Sequence, residues 1–200
     1  MKFLFDVPIA HNGLFVYQLD IEDINPKVYK SIKYNITPNN VDSEISKSKK
    51  VLNDLSKLKK EIMLACDDFI HNKICMPKVK YNIFSSWWTK TKPKGFSEVH
   101  NHSNSWISGC FYPDYDKSFN ITFYNDYTNI FYTPVTNFNI YNSKSWTINP
   151  TKNSVIFWYS PLRHEVMPNN TNRDRHSLAF NILPEGNFGT IDSEVNIKSS

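Results

Sequence analysis

His100 and His102 stand one residue apart in the segment EVHNHSNSWISGCFYP, and His164 follows the apolar run SVIFWY in YSPLRHEVMPN. Histidine is scarce, six in 200 residues, and a neutral imidazole is the commonest side-chain ligand for a transition metal. On a strand, residues i and i+2 face the same way, so the pair can present two ring nitrogens to one ion. A third imidazole returning beside them would complete a three-nitrogen site that leaves positions open for other ligands. Glu98, on the same expected strand face, is the alternative third donor. No function is assigned to His11, His71 or His176.

A second group lies downstream. The three arginines, Arg163, Arg173 and Arg175, crowd together, and every other basic residue except histidine is a lysine. A guanidinium is a rigid fork suited to carboxylate or phosphate, which an ammonium is not. In RHSLAFNI, strand alternation puts Arg175, Ser177, Ala179 and Asn181 on one face and His176, Leu178, Phe180 and Ile182 on the other. The first row suits a pocket; the second packs outward against a helix. An inward guanidinium without an anion is costly. The row therefore implies a buried anion, and a small dicarboxylate would serve. Arg163 and Arg173 are open between surface positions and substrate contacts.

Elements must bring these groups together. Hydrophobic residues make up 40% and charged residues 21%, and 14 Phe, 11 Tyr and 5 Trp favour strands. From residue 80 to 184, segments of β length alternate with Asn, Asp, Pro and Ser turns: KYNIFSSWW, SWISGCFYP, SFNITFYN, NIFYTPV, NFNIYN, SWTINP, SVIFWYS and HSLAFNIL. Short strands at such spacing predict a sandwich or barrel. Before them, residues 42–74 read as helix, with Val51, Leu55, Leu58, Ile62, Cys66 and Phe69 forming one apolar stripe. The first 40 residues read as short strands and turns. The expected architecture is one domain over 1–200, mainly β with helices (α+β). It is a jelly-roll barrel packed against an N-terminal helical segment.

Other classes are disfavoured. With 5 glycines there is no phosphate-cradling loop. VIFWY is far too short to cross a membrane, and MKFLFDVPIA meets Asp6 too early for a signal peptide. Cys66, Cys75 and Cys110 lack metal or redox spacing and read as reduced thiols, which places the chain in the cytoplasm, the host's if it is viral. The lysines of the helix (Lys49, Lys50, Lys57, Lys59, Lys60) read as a solvated face. Lys90, Lys92 and Lys94 in WWTKTKPKGF read as a loop or a lysine-protected edge strand, so nucleic acid is not the expected partner. Trp87, Trp88 and Trp106 are read as core before cleft.

The blocks HNHSNSWISGCFYP, INPTKNSVIFWYSPLRHEVMPN and DRHSLAFNI, in this order, resemble the iron(II)/2-oxoglutarate-dependent oxygenases. Together with the opening FLFDVPIAHNGLFV they are similar to prolyl-hydroxylase-like oxygenases of phages and bacteria. The resemblance implies a double-stranded β-helix, which is the jelly roll under another name. It also implies Fe(II), O2 and 2-oxoglutarate, and hydroxylation of a C–H bond on an unidentified substrate, peptidyl (prolyl-type) or small. It makes His100 and His164 metal ligands and gives Arg175 and Ser177 the far carboxylate of 2-oxoglutarate. Tyr112 would hydrogen-bond the same cosubstrate. His102 falls where the wider superfamily has Asp or Glu; three neutral imidazoles leave the centre one unit more positive than a 2-His-1-carboxylate set. Asn153 stands where a turn glycine is common. Three alternatives stay open: a cupin-type dioxygenase, isomerase or small-ligand binder; a three-histidine zinc hydro-lyase or hydrolase; and a non-enzymatic β-sandwich binding module. A cupin's Glu is missing from SNSWIS at 103–108.

Overall fold

The computed structural model describes residues 1–9, 12–37, 40–76, 79–125, 136–139 and 142–198. Its strands are β1 (Lys2–Ile9), β2 (Asn12–Gln18), β3 (Tyr34–Ile36), β4 (Asn40–Ser46), β5 (Lys80–His100) and β6 (Ile107–Tyr112). There follow β7 (Ile121–Tyr124), β8 (Ser145–Ile148), β9 (Ser154–Tyr159), β10 (His164–Val166), β11 (Arg175–Phe188) and β12 (Val195–Ile197). They join in the order β1-β2-β9-β6-β11-β5-β10-β7-β8, with β3–β4 added to β5 and β12 to β11. The named strands pair antiparallel, and the sheet curls on itself as a jelly roll.

β5 makes the curl. Its residues from Lys80 to Thr91 pair with β11, whereas Ser97 and His100 pair with β10. Between these stretches the register with β4 slips, from Ser43↔Thr91 to Val41↔Phe96. The bulge holds Pro93, which has no N–H for a ladder bond, and Lys94, whose φ of 68° is left-handed. The segment WWTKTKPKGF is therefore neither loop nor edge but the middle of a two-sided strand. Lys90 and Lys92 both pair with Glu44 of β4, at 2.6 and 2.8 Å.

The helical block is shorter than its sequence pattern predicts. Residues 42–46 belong to β4, where Ser43 and Ile45 alternate against β5. The apolar stripe begins in a 3₁₀ turn, Val51–Asp54, runs through α2 (Ser56–Asp67), and ends in a π-helical turn, Asp68–Lys73. Val51, Leu58, Ile62, Cys66 and Phe69 are buried against the outer face of β11, among Leu178, Phe180 and Ile182. Each such side chain contributes about 1.5–3 kcal/mol of burial. α1 (Lys27–Lys30) adds Tyr29 to this core. A second apolar cluster, including Leu14, Val16, Tyr112, Phe123, Ile156 and Trp158, fills the barrel. Of the expected strands, NIFYTPV lies outside the described residues, and the described part of NFNIYN, residues 137–139 and 142, forms no strand. Gly109 of β6 lies opposite Phe180, where a Cβ would come within 2.2 Å of the ring. Asn153 takes the left-handed turn, φ 58°, that glycine would otherwise fill before β9.

On the outer face His176 is buried beside the rings of Tyr29 and Tyr34, with no hydrogen-bond partner for Nε2. Burial pulls its pKa from 6.5 to about 4; Asp174 opposes that shift and Lys30 and Lys90 reinforce it. The folded form thus binds its proton more weakly than the unfolded chain. The stability His176 contributes is complete above pH 6.5 and is lost as pH falls toward 4, about 3 kcal/mol in all. Urea titrations from pH 7 to 4.5 should show His176→Phe losing less stability than wild type across that window.

Candidate metal centre

β10 is short, but its register decides the site: His164 lies directly across from His100, the last residue of β5. His102 is already past the strand, so its approach does not come from i, i+2 alternation. Its loop is fastened instead, with the His102 N–H donating to the Ser160 carbonyl at 3.0 Å and the Ser160 N–H to that of Trp106 at 3.1 Å. The ring centroids of His100 and His164 are 4.4 Å apart, of His102 and His164 5.2 Å, and of His100 and His102 5.5 Å. One ring nitrogen from each falls within 4.8 Å of the other two. The Glu98 side chain is exposed and outside this group; what it offers is its backbone carbonyl.

Hydrogen bonds set the tautomers. Nδ1 of His100 meets the Glu98 carbonyl at 2.7 Å, and Nδ1 of His164 meets the Leu162 carbonyl at 3.0 Å. A carbonyl only accepts, so both Nδ1 atoms carry the proton and Nε2 keeps a lone pair. Nδ1 of His102 lies 2.7 Å from Asn181 Oδ1 and 2.9 Å from Ser108 Oγ. Ser108 donates to the same Oδ1, and behind it Ser160 and Ser105 continue the chain at 2.7 and 2.8 Å. With the serine protons directed along this chain toward Asn181, His102 is left to donate from Nδ1. All three rings then turn Nε2 lone pairs to one place. Burial pulls His102 to about pH 4, against the pull of Asn181, and it holds His164 well below its usual value, with His100 and His102 adding to the effect. Neutral imidazoles are the ligand form.

Asn181 was placed on the pocket face by alternation, but nothing in the spacing joined it to His102 or to Ser105, Ser108 and Ser160. Asn181→Leu is expected to weaken metal binding about 10–100-fold, as loss of an outer partner does elsewhere. Competition for Zn(II) against a chelator checks this; an unchanged affinity would mean that His102 is oriented without Asn181.

The same cavity, about 460 Å³, reaches Arg175, Ser177, Tyr112, Cys110 and Phe119. Arg175 is 3% exposed, yet neither Nη1 nor Nη2 has a hydrogen-bond partner. Its Cζ lies over the ring of Phe119, 5.6 Å from the centroid. Burial lowers its pKa to about 10, so it remains charged at neutral pH. Tyr112 is buried beside it, its phenol pushed up mainly by burial and then by Cys110, and so protonated. Ser177 and Ala179 line the cavity from β11, and Asn181 of the same row reaches His102. One face of one strand thus serves both ends.

The remaining sequence candidates separate clearly. Trp87 lines the cavity, Trp88 is core, and Trp106 packs against the core. Arg173 pairs with Asp114 on the surface, and Arg163 lies over the Tyr124 ring. Cys66, Cys75 and Cys110 are free thiols. No described helix is long and apolar enough to cross a membrane.

Residues 85–181 match a family described as "Putative 2OG-Fe(II) oxygenase". No curated protein matches the chain in sequence. Among solved structures, a prolyl hydroxylase from Trichoplax adhaerens, in complex with a hypoxia inducible factor oxygen degradation domain peptide fragment, superposes with a TM-score of 0.61. Identity is 10%, over 88% of this chain and 85% of that one. HygX from Streptomyces hygroscopicus, with nickel and 2-oxoglutarate bound, gives 0.57 at 10% identity over 88% and 84%. A Pseudomonas putida prolyl-4-hydroxylase gives 0.52 at 10% over 88% and 94%. At such identities the likeness to these structures is one of fold.

Proposed function

We propose that this chain is a 2-oxoglutarate/Fe(II)-dependent dioxygenase that hydroxylates a C–H bond, a reading supported by the match of residues 85–181, which carry every candidate residue of the site, to the "Putative 2OG-Fe(II) oxygenase" family. His100, His102 and His164 would hold Fe(II). Arg175 and Ser177 would hold the far carboxylate of 2-oxoglutarate, and Tyr112 would donate to the same cosubstrate. The observation that carries this reading is the guanidinium of Arg175, buried and unanswered in the cavity that the three imidazoles share. A cupin or a zinc hydrolase needs the histidines but gives that charge nothing to do. The donor set fits as well: three neutral nitrogens aimed at one place suit a divalent transition ion and leave positions for a bidentate ligand and O2.

When bound, iron and the 2-oxo acid supply O2 activation and oxidative decarboxylation to succinate and CO2. The chain's own tasks are placement and exclusion of water. Arg175 remains a cation and offers a two-pronged, charge-assisted fork, with Ser177 one strand step further along the same face. Tyr112, kept protonated, donates and does not compete as an anion. Trp158, Phe119, Ile121 and Val166 give the cavity apolar walls, in which these contacts are stronger than in water. The peptide-bound prolyl hydroxylase of the same fold supports a peptidyl, prolyl-type substrate. The three free thiols support a cytoplasmic setting.

The reading is tested by supplying Fe(II), 2-oxoglutarate and air and measuring succinate. Iron-dependent succinate formation is expected even without the true substrate, at a slow uncoupled rate. No consumption of 2-oxoglutarate under any iron loading would remove the proposal.

A further inference from the structure

Resting on the oxygenase reading above, the cavity's charges point to the class of substrate. The described residues that line it include two cations, Arg175 and Lys49, and no Asp or Glu. Arg175 is taken by the cosubstrate. Lys49 stands at the other end, where its Nζ lies 5.8 Å from the centroid of the Trp87 ring, and that ring lies 5.8 Å from the ring of His102. Lys49 is thus on the side of the metal ligands, where a second reactant must approach.

Lys49 is an exposed residue at the cavity's rim, and three features mark it there. Its backbone is pinned to β5, since the Ser86 N–H donates to the Lys49 carbonyl at 2.7 Å and the Leu52 N–H to Ser86 Oγ at 3.0 Å. Lys90 and Lys92 do not line the cavity and are both neutralised by Glu44, whereas Lys49 lines it and has no carboxylate partner among the described residues. Partial burial also lowers its pKa, and no acidic group opposes the shift. The metal end carries no compensating anion either, because the third candidate ligand is His102 rather than a carboxylate. Such a wall selects by charge: it attracts an anionic group on the incoming substrate and repels a cationic one.

We infer that the substrate is an acidic peptide, whose carboxylate pairs with Lys49 over Trp87 while its reacting C–H bond faces the three histidines. The cation supplies charge selection, and the indole a flat apolar surface beneath the peptide chain.

The test uses the full chain loaded with Zn(II) and 2-oxoglutarate, which form no oxidising centre. Three fluorescent hexapeptides, each with a central proline flanked by Asp, Ser or Lys, are titrated and followed by anisotropy. The acidic peptide is expected to bind about tenfold tighter than the basic one, with the neutral peptide between them. Lys49→Gln should erase the order and Lys49→Glu should reverse it. Equal affinities in wild type, an order that survives Lys49→Glu, or no binding of the acidic peptide at millimolar concentration would each overturn the inference. Tighter binding of a single-stranded oligonucleotide than of the acidic peptide would do the same. Retention of zinc and 2-oxoglutarate is measured by dialysis on the same samples. Protein that keeps both but shows no charge order sinks this inference alone; protein that keeps neither sinks the oxygenase reading beneath it.

Discussion

Arg175→Met should all but abolish 2-oxoglutarate binding and, in the same protein, raise the stability of the cosubstrate-free form. The two effects have one cause. In the absence of an anion the guanidinium is 3% exposed with both Nη atoms unpaired, a burden on the fold only partly relieved by the face of Phe119. A methionine of similar length would fill the space without the charge. Replacing buried charge by apolar groups has stabilised other proteins by about 1–4 kcal/mol, worth roughly 2–4 °C of melting temperature per kcal/mol at this size. Once the cosubstrate is present the balance inverts. Breaking a buried charge pair costs about 3–5 kcal/mol, so affinity should fall by roughly 10²–10⁴. Calorimetric titration and thermal melts of the two proteins measure both arms. A variant less stable than wild type without cosubstrate would show that the arginine is satisfied within the fold.

His164→Ala should abolish stabilisation by metal. Wild type in Mn(II) or Zn(II) at about a hundred times the dissociation constant should gain close to 2.7 kcal/mol, or roughly 5–10 °C. His164 is the sharpest choice because it is buried, lies opposite His100 in register, and has its Nδ1 committed to the Leu162 carbonyl. The alanine variant will also lose packing against Trp158, 4.9 Å away, and Phe123, 5.6 Å away. The comparison is therefore between increments on adding metal, not between absolute melting temperatures. An undiminished increment in His164→Ala would place the metal elsewhere.

These expectations trace back unevenly to the sequence. The Arg175–Asn181 row was legible because β alternation is strict and its two faces differ sharply, polar toward the cavity and apolar toward α2. His164 was legible from the buried run that precedes it. His102 was legible as a residue but not as geometry. A strand was expected beneath it, and a loop fastened to Ser160 is what holds it. Residues 42–46 read as helix because a helical stripe followed closely. Their actual partner, the upper part of β5, lies far along the chain, and no local pattern announces a long-range edge. Similarly, WWTKTKPKGF read as loop or edge because its lysines look solvated, whereas Glu44 waits across the ladder to neutralise two of them. The serine chain behind Asn181 and the placement of Lys49 over Trp87 are products of tertiary packing alone, with no spacing to betray them.

The most direct measurement is an anaerobic titration of Fe(II)-loaded protein with 2-oxoglutarate, following the weak visible charge-transfer absorption of an iron–keto-acid chelate. The band should grow in to one equivalent in wild type and fail to appear at comparable concentration in Arg175→Met. Absence of any band in iron-loaded wild type would contradict the placement of metal and cosubstrate in one cavity. A band that forms equally well without Arg175 would contradict the role given to its buried charge.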